Sequence, residues 1–221
     1  RARLAVMNRL LQHRGPDGSG IYMSPDGAVG LAHRRLSIID LSEMGRQPME
    51  ALSGNVLTHN GEIYNYLELR DSERHRWTFR TETDTETILA AYEAYGVEAL
   101  QKFRGMFAFA LWDPNKNVLF CARDRFGIKP FYHTQVGDLF YFASEAKALL
   151  PFCASIDTDP ESLAEYLTFQ YTISDRTLFS GIKQLLPGHQ LLVKNGHITV
   201  SQYWDVKYEI DDGHDAKYFE S

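Results

Sequence analysis

Three pairs of strand-like segments in this chain are joined by turns of only a few residues, and this limits how the chain can fold. Asp113-Pro114-Asn115 turns Phe107 to Leu111 into Val118 to Ala122. Gly137-Asp138 lies between Phe131 to Thr134 and Leu139 to Ala143, and Asn195-Gly196 joins Gln190 to Lys194 with His197 to Tyr203. Strands linked so closely must pair antiparallel, because a parallel pair needs a long crossover. In the first hairpin Phe107, Phe109 and Leu111 alternate with Ala108 and Ala110. Both faces are apolar, which predicts a sheet covered on both sides and an α+β layered sandwich.

Two helices are predicted to supply the covering. Leu4, Met7, Leu10 and Leu11 recur at helical spacing, and Arg14-Gly15-Pro16-Asp17-Gly18 stops that helix. Thr83-Asp84-Thr85-Glu86 matches a capping box ahead of Ile88, Leu89, Tyr92 and Tyr95. A further helix is expected over Pro160 to Gln170, with Leu163, Tyr166 and Leu167 turned inward. Strands are expected at Ile21 to Met23, along Val29 to Ile39, and from Val56 to a break at Asn60-Gly61.

The 221 residues are 44% hydrophobic and 13% aromatic, enough for a folded core. No apolar run is long enough to cross a bilayer. The net charge of −6 argues against a nucleic-acid binder. From Asp205 onward six acids face two lysines, so this segment carries −4 and the first 204 residues −2. The acidic stretch 205–221 reads as a linker or the start of another domain. Cys121 and Cys153 are the only cysteines, which points to a reducing, cytoplasmic setting. The eight histidines show no i, i+4 pair and no Cys/His cluster, so no metal site is expected.

Three places could carry chemistry. Arg35 lies in a strand-like run whose alternation would bury Leu36 and Ile38; its fork could clamp a carboxylate or simply snorkel over the sheet. Asn60-Gly61 offers a side-chain amide beside a glycine amide, two N–H donors for one developing oxyanion, or an ordinary turn. Asp84 either favours the start of its helix or meets a ligand cation.

Several blocks then occur in a telling order: His13 to Gly20, His33 to Asp40, Asn60-Gly61-Glu62-Ile63-Tyr64-Asn65, Thr83 to Glu86, Gly105 to Ala110, and Arg123 to Pro130. Together they resemble the class II glutamine amidotransferases, a branch of the N-terminal-nucleophile hydrolases. Gly45-Arg46-Gln47-Pro48-Met49 and Leu186-Pro187-Gly188-His189 look like the asparagine synthetase branch. The resemblance spans roughly nine-tenths of the chain and implies a four-layer αββα sandwich of two mainly antiparallel sheets.

It further implies that residues 1–204 are a glutaminase domain, which hydrolyses glutamine to glutamate and ammonia, lacking its first strand and nucleophilic cysteine and inactive without them. In that reading Arg35 binds the glutamine α-carboxylate within a contacting stretch of Arg35, Leu36, Ser37, Ile38 and Ile39. Asn60 and Gly61 form the oxyanion hole, Glu62 lines the substrate site, and Asp84 pairs with the α-ammonium. The family's nucleophile is a cysteine at the mature N-terminus, expected on a strand before Arg1; Cys121 and Cys153 read as buried thiols instead. No cofactor is implied for this domain. ATP and Mg are implied for a C-terminal synthetase domain in the same polypeptide, whose Ser-Gly-Gly-x-Asp-Ser run is not in this sequence. There the ammonia would meet an ATP-activated aspartate; neither a nucleic acid nor a membrane is a partner, and a homodimer is compatible. Two alternatives stay open: a synthetase-like paralogue amidating another carboxylate, and a non-catalytic module that binds glutamine or scaffolds a partner.

Overall fold

The computed structural model describes residues 1–40, 42–208 and 218. In chain order the first half contains helix α1 (Ala2–Leu10), strands β1 (Gly18–Met23), β2 (Gly30–Arg35), β3 (Met49–Glu50) and β4 (Val56–Ile63), and helices α2 (Tyr66–Glu73) and α3 (Asp84–Tyr95). The second half contains strands β5 (Gly105–Asp113), β6 (Val118–Arg123), β7 (Tyr132–Val136) and β8 (Leu139–Ala143), helix α4 (Pro160–Phe169), and strands β9 (Lys183–Gln184), β10 (His189–Lys194) and β11 (His197–Gln202).

The main sheet has the order β11-β10-β6-β5-β4-β3, and every named strand pair is antiparallel. The predicted hairpins form, because their turns leave no other pairing within reach. Strand β5 divides its side chains as the alternation requires. Phe107, Phe109 and Leu111 pack with Ile88, Leu89 and Tyr92 of α3, while Ala108 and Ala110 face Leu31, Phe131 and Leu185 of the second layer. Alanines on the inner face let a second sheet layer approach closely. That layer consists of β1-β2 and β8-β7-β9. Met7 and Leu10 of α1, with Leu11 just beyond it, cover its far side with Ala143, Leu149 and Ile182. The sequence of layers is helix, sheet, sheet, helix.

The structure corrects the expected elements in four places. Strand β2 stops at Arg35, where its pairing with β1 ends at Gly18, and the chain beyond leaves the sheet. Leu36 and Ile38 are therefore exposed, Ile38 by 72%, rather than buried. Strand β4 does not break at Asn60-Gly61: its register with β5 continues through Gly61↔Phe107 to Ile63↔Gly105. Helix α4 buries Ser162 and is tied to Arg176 through Glu161 and Glu165. This leaves Leu163, Tyr166 and Leu167 outward, the last 75% exposed. Helix α2 was not expected from spacing; it seats Leu69 against the core beside α3. The acidic segment lies outside the described residues except for 205–208 and 218. Among the described residues no helix is long and apolar enough to cross a membrane.

Candidate active site

A cleft of about 220 Å³ opens where the outer edge of β4 meets the start of α3 and the segment following β2. Arg35, Leu36, Ile38 and Ile39 line it from the β2 side, Asn60, Gly61 and Glu62 from β4, and Asp84 from α3. Ser37 is not on its wall; the Ser37 N–H donates instead to Asp17 Oδ2 at 2.9 Å. Residues far apart in sequence therefore converge, with Ser37 left aside.

The β4 edge leaves hydrogen-bonding groups free at the cleft. Strand β3 pairs only with Val56 and Leu57, so the rest of that edge has no strand beside it. On the other side, Phe107 spends its N–H on Asp124 Oδ2 and its carbonyl on the Asp124 N–H. The Gly61–Phe107 pair is thus the kind that exchanges no ladder bonds, and the Gly61 amide points outward. His59 and Ile63 point the same way. The His59 N–H donates to Gln47 Oε1 at 2.6 Å, and the Ile63 N–H to Asp84 Oδ2 at 2.9 Å. The Gly61 N–H lies between them with no acceptor among the described residues. Next to it, Asn60 Nδ2 is buried and also without a partner. An unmade buried donor such as Asn60 Nδ2 costs free energy, and with the Gly61 amide of a half-buried residue beside it the pair suits an acceptor supplied by a ligand.

Glycine is required at position 61. Its φ is +150°, and a Cβ there would lie 2.1 Å from the Met106 carbonyl oxygen. The dipeptide that usually marks a turn is used here inside a strand, for close backbone approach.

Asp84 is the first residue of α3. Thr83 caps that helix by accepting the Glu86 N–H, as the capping-box pattern predicts. Glu86 does not return the bond to Thr83; its carboxylate gathers Trp77 and the amides of Arg80 and Thr81. Asp84 itself is buried, and burial raises its pKa against the opposing Ile63 N–H. His59 Nδ1 stands 4.0 Å from Asp84 Oδ2. Burial lowers the His59 pKa to about 3, so at neutral pH the ring is uncharged. Asp84 is therefore a buried carboxylate with no cationic partner among the described residues.

Arg35 closes β2 and gives Nη1 to the Ser42 carbonyl at 2.7 Å and Nη2 to the Asp40 carbonyl. Those bonds orient the guanidinium and use one hydrogen on each terminal nitrogen, and the side chain lines the cleft. A Cβ on Gly45 would lie 2.4 Å from Nη2, so the neighbouring turn is shaped around this group. The cleft carries charges of both signs, Arg35 and Lys129 against Asp84 and Glu62, as a zwitterionic ligand requires.

Gln47, His59, Thr85 and His33 were missed as site residues by sequence reasoning. Gln47 lies in the Gly45 to Met49 block and Thr85 in a helix cap, and neither pattern marks a contact with a strand edge twelve or more residues away. His33 lines the cleft, with Nδ1 3.1 Å from Thr58 Oγ1 and its pKa lowered to about 4 by burial and by nearby His59 and Arg35. Cys121 is fully buried between the sheets, and burial pushes its thiol pKa up. Cys153 is only half-buried rather than buried as expected, its thiol pKa is also raised by desolvation, and neither thiol lies on the cleft wall. Among the described residues no group of His, Cys, Asp and Glu could hold a metal ion. An apolar slot of about 160 Å³ adjoins the cleft and shares Asn60 and His33 with it. The slot runs between β2 and β8, each paired on one side only, to β1 and β7 respectively.

A protein-family model described as "Glutamine amidotransferase domain" matches residues 1–204. "Asparagine synthetase [glutamine-hydrolyzing] 1" of Bacillus subtilis (strain 168) is 44% identical over 206 residues, which cover 92% of this chain and 32% of that protein. "Amidase chyE" of Penicillium rubens is 38% identical over 211 residues, covering 94% of this chain and 30% of that one. The chain spans about a third of the length of these relatives. Among solved structures, a glutamine phosphoribosylpyrophosphate amidotransferase from B. subtilis superposes with a TM-score of 0.65 at 19% identity, covering 91% of this chain and 46% of that chain. That likeness is one of fold.

Proposed function

The chain belongs to the glutamine amidotransferase domain family, and from that premise we propose that its cleft hydrolyses glutamine to glutamate and ammonia. The observation that carries this reading is the pair of unclaimed donors, Asn60 Nδ2 and the Gly61 N–H, side by side on the edge of β4. Arg35 takes the substrate α-carboxylate, Asp84 takes its α-ammonium, and Glu62 with Leu36, Ile38 and Ile39 forms the surrounding wall. An uncompensated buried carboxylate favours a cationic ligand group, which supports that orientation.

The nucleophile is a cysteine thiolate carried on an extended segment that precedes Arg1 and seats in the slot between β2 and β8. The two strand edges that flank the slot and the shared Asn60 support this placement. Sulfur attacks the side-chain amide carbon, and the oxygen that gains the negative charge is held by Asn60 and Gly61. As the intermediate collapses the C–N bond breaks, the nitrogen takes a proton from the segment's α-ammonium, and ammonia leaves a thioester. Water then releases glutamate and frees the thiol.

In the full-length protein we assign the ammonia to an ATP-activated aspartate, giving asparagine on a C-terminal synthetase domain that uses ATP and Mg. The B. subtilis relative and the longer relatives support that assignment. A second reading keeps the glutaminase and changes the acceptor carboxylate, because a 38% identical relative is named an amidase. We place the protein in the cytoplasm, a reading supported by its free cysteines. The deciding experiment incubates the full-length protein with glutamine and measures glutamate and ammonia, expected in equal amounts. No glutamate release would sink the glutaminase reading; release with no aspartate-dependent amide formation would favour the second acceptor.

A further inference from the structure

Glycine lets the backbone at position 61 come close to a ligand, but it supplies no rigidity. An oxyanion site works only if its donors are aimed before the charge appears. The aim must therefore be imposed by neighbours, and the outer edge of β4 has two. On one side, two residues after Gly61, the Ile63 N–H is held by Asp84 at 2.9 Å. On the other, two residues before it, the His59 N–H is held by Gln47 Oε1 at 2.6 Å.

Gln47 is buried, and its other end is fixed as well. Its Nε2 reaches Thr85 Oγ1 at 3.4 Å, and that oxygen meets His59 Nδ1 at 3.2 Å. The side chain thus ties the β4 backbone at His59 to the first turn of α3, where Asp84 makes the other tie. A polar side chain with both ends bonded in a dry setting is a rigid strut. Asp84 also faces the proposed substrate; Gln47 lines the same cleft, but both ends of its amide are bonded to strand and helix.

We infer that Gln47 is a positioning residue for the Asn60–Gly61 donor pair, holding the β4 edge so that the Gly61 N–H stays aimed into the cleft. The inference rests on the glutaminase reading above. Removing the Gln47 acceptor frees the His59 amide, lets the edge rotate about Gly61, and weakens stabilisation of the oxyanion without touching Arg35 or Asp84.

The test uses the full-length protein and glutamate release from glutamine, with Gln47→Met, Asn60→Ala and the double variant. Methionine keeps the length of glutamine and lacks its acceptor. Gln47→Met is expected to lower kcat roughly tenfold while KM for glutamine stays within about twofold. In the Asn60→Ala background the same change should cost less than about twofold, because both act through one donor pair. A wild-type kcat in Gln47→Met, a KM that rises in step, or losses that multiply in the double variant would each overturn the positioning role. If Gln47→Met fails to fold, Thr85→Val removes the far anchor, and the same kcat-against-KM split applies to it. Wild-type glutamate release from Asn60→Ala overturns the glutaminase site and this inference with it, whereas a silent Gln47→Met beside a crippled Asn60→Ala overturns the positioning role alone.

Discussion

The Asp84 carboxylate accepts the Ile63 amide at 2.9 Å, tying the first residue of α3 to the last residue of β4. A helix start and a strand edge are thereby held in one frame. The same oxygen lies 4.0 Å from an uncharged His59, so the frame contains a negative charge that nothing inside it neutralises. The consequences can be measured.

Asn60→Ala removes a donor that matters only once the substrate oxygen turns negative. In the full-length protein, kcat with glutamine should fall by about 10²–10³ while KM stays nearly unchanged. Amide synthesis driven by added ammonia should continue. Equal loss with both nitrogen sources, together with a lowered melting temperature, would show that Asn60 is only structural.

Arg35→Lys replaces an oriented fork with a point charge and also removes the bonds to the Asp40 and Ser42 carbonyls. KM for glutamine should rise, by the equivalent of about 2–3 kcal/mol for a charged hydrogen bond. Titrating initial rates against glutamine concentration decides it; an unchanged KM removes Arg35 from the substrate carboxylate.

Asp84→Asn should weaken glutamine and yet stabilise the free protein at neutral pH. Burial raises the Asp84 pKa, so ionisation is easier in the unfolded chain than in the folded one. The unliganded protein therefore loses stability as pH climbs from the ordinary carboxylate range through the raised folded value. The asparagine variant should lack that loss. Melting curves at acidic and neutral pH, with both proteins unliganded, should converge at the acidic end; a variant less stable at neutral pH contradicts the uncompensated charge.

Gly61→Ala should be tolerated poorly. The added carbon would lie 2.1 Å from the Met106 carbonyl at a φ that L side chains rarely adopt. A loss on the order of 3 kcal/mol or more is expected in urea unfolding, with glutamate release abolished. A stable, active alanine variant would mean that β4 and β5 do not pair at this position.

Cys121→Ala separates the buried thiol from catalysis. It should cost about 1 kcal/mol of stability, as for loss of a methyl-sized core group, and leave kcat unchanged. Loss of turnover in a folded Cys121→Ala protein would place the nucleophile inside the sheet sandwich instead.

The hairpins, the capped start of α3 and the split faces of β5 were legible in the sequence because each depends on residues a few positions apart. A two-residue turn, a Thr83 hydroxyl three residues from the Glu86 amide, and side chains alternating on a pleat are local geometry. The motifs around Arg35, Asn60 and Asp84 also named residues that do meet in one cleft. What they could not reveal was which hydrogen-bonding groups would be left over. Asn60-Gly61 reads as a turn until β5 pairs through it, and Leu36 and Ile38 read as buried until β1 ends beside Arg35. The apolar residues of α4 read as core, yet the helix is held by Ser162 and Arg176 with those residues outward. Whether a strand edge is paired or a donor satisfied depends on partners 12 to 21 residues away, here Gln47, Asp84 and Asp124. Only the folded chain brings those groups together, and only there are the Gly61 amide and Asn60 Nδ2 left on that edge without an acceptor among the described residues.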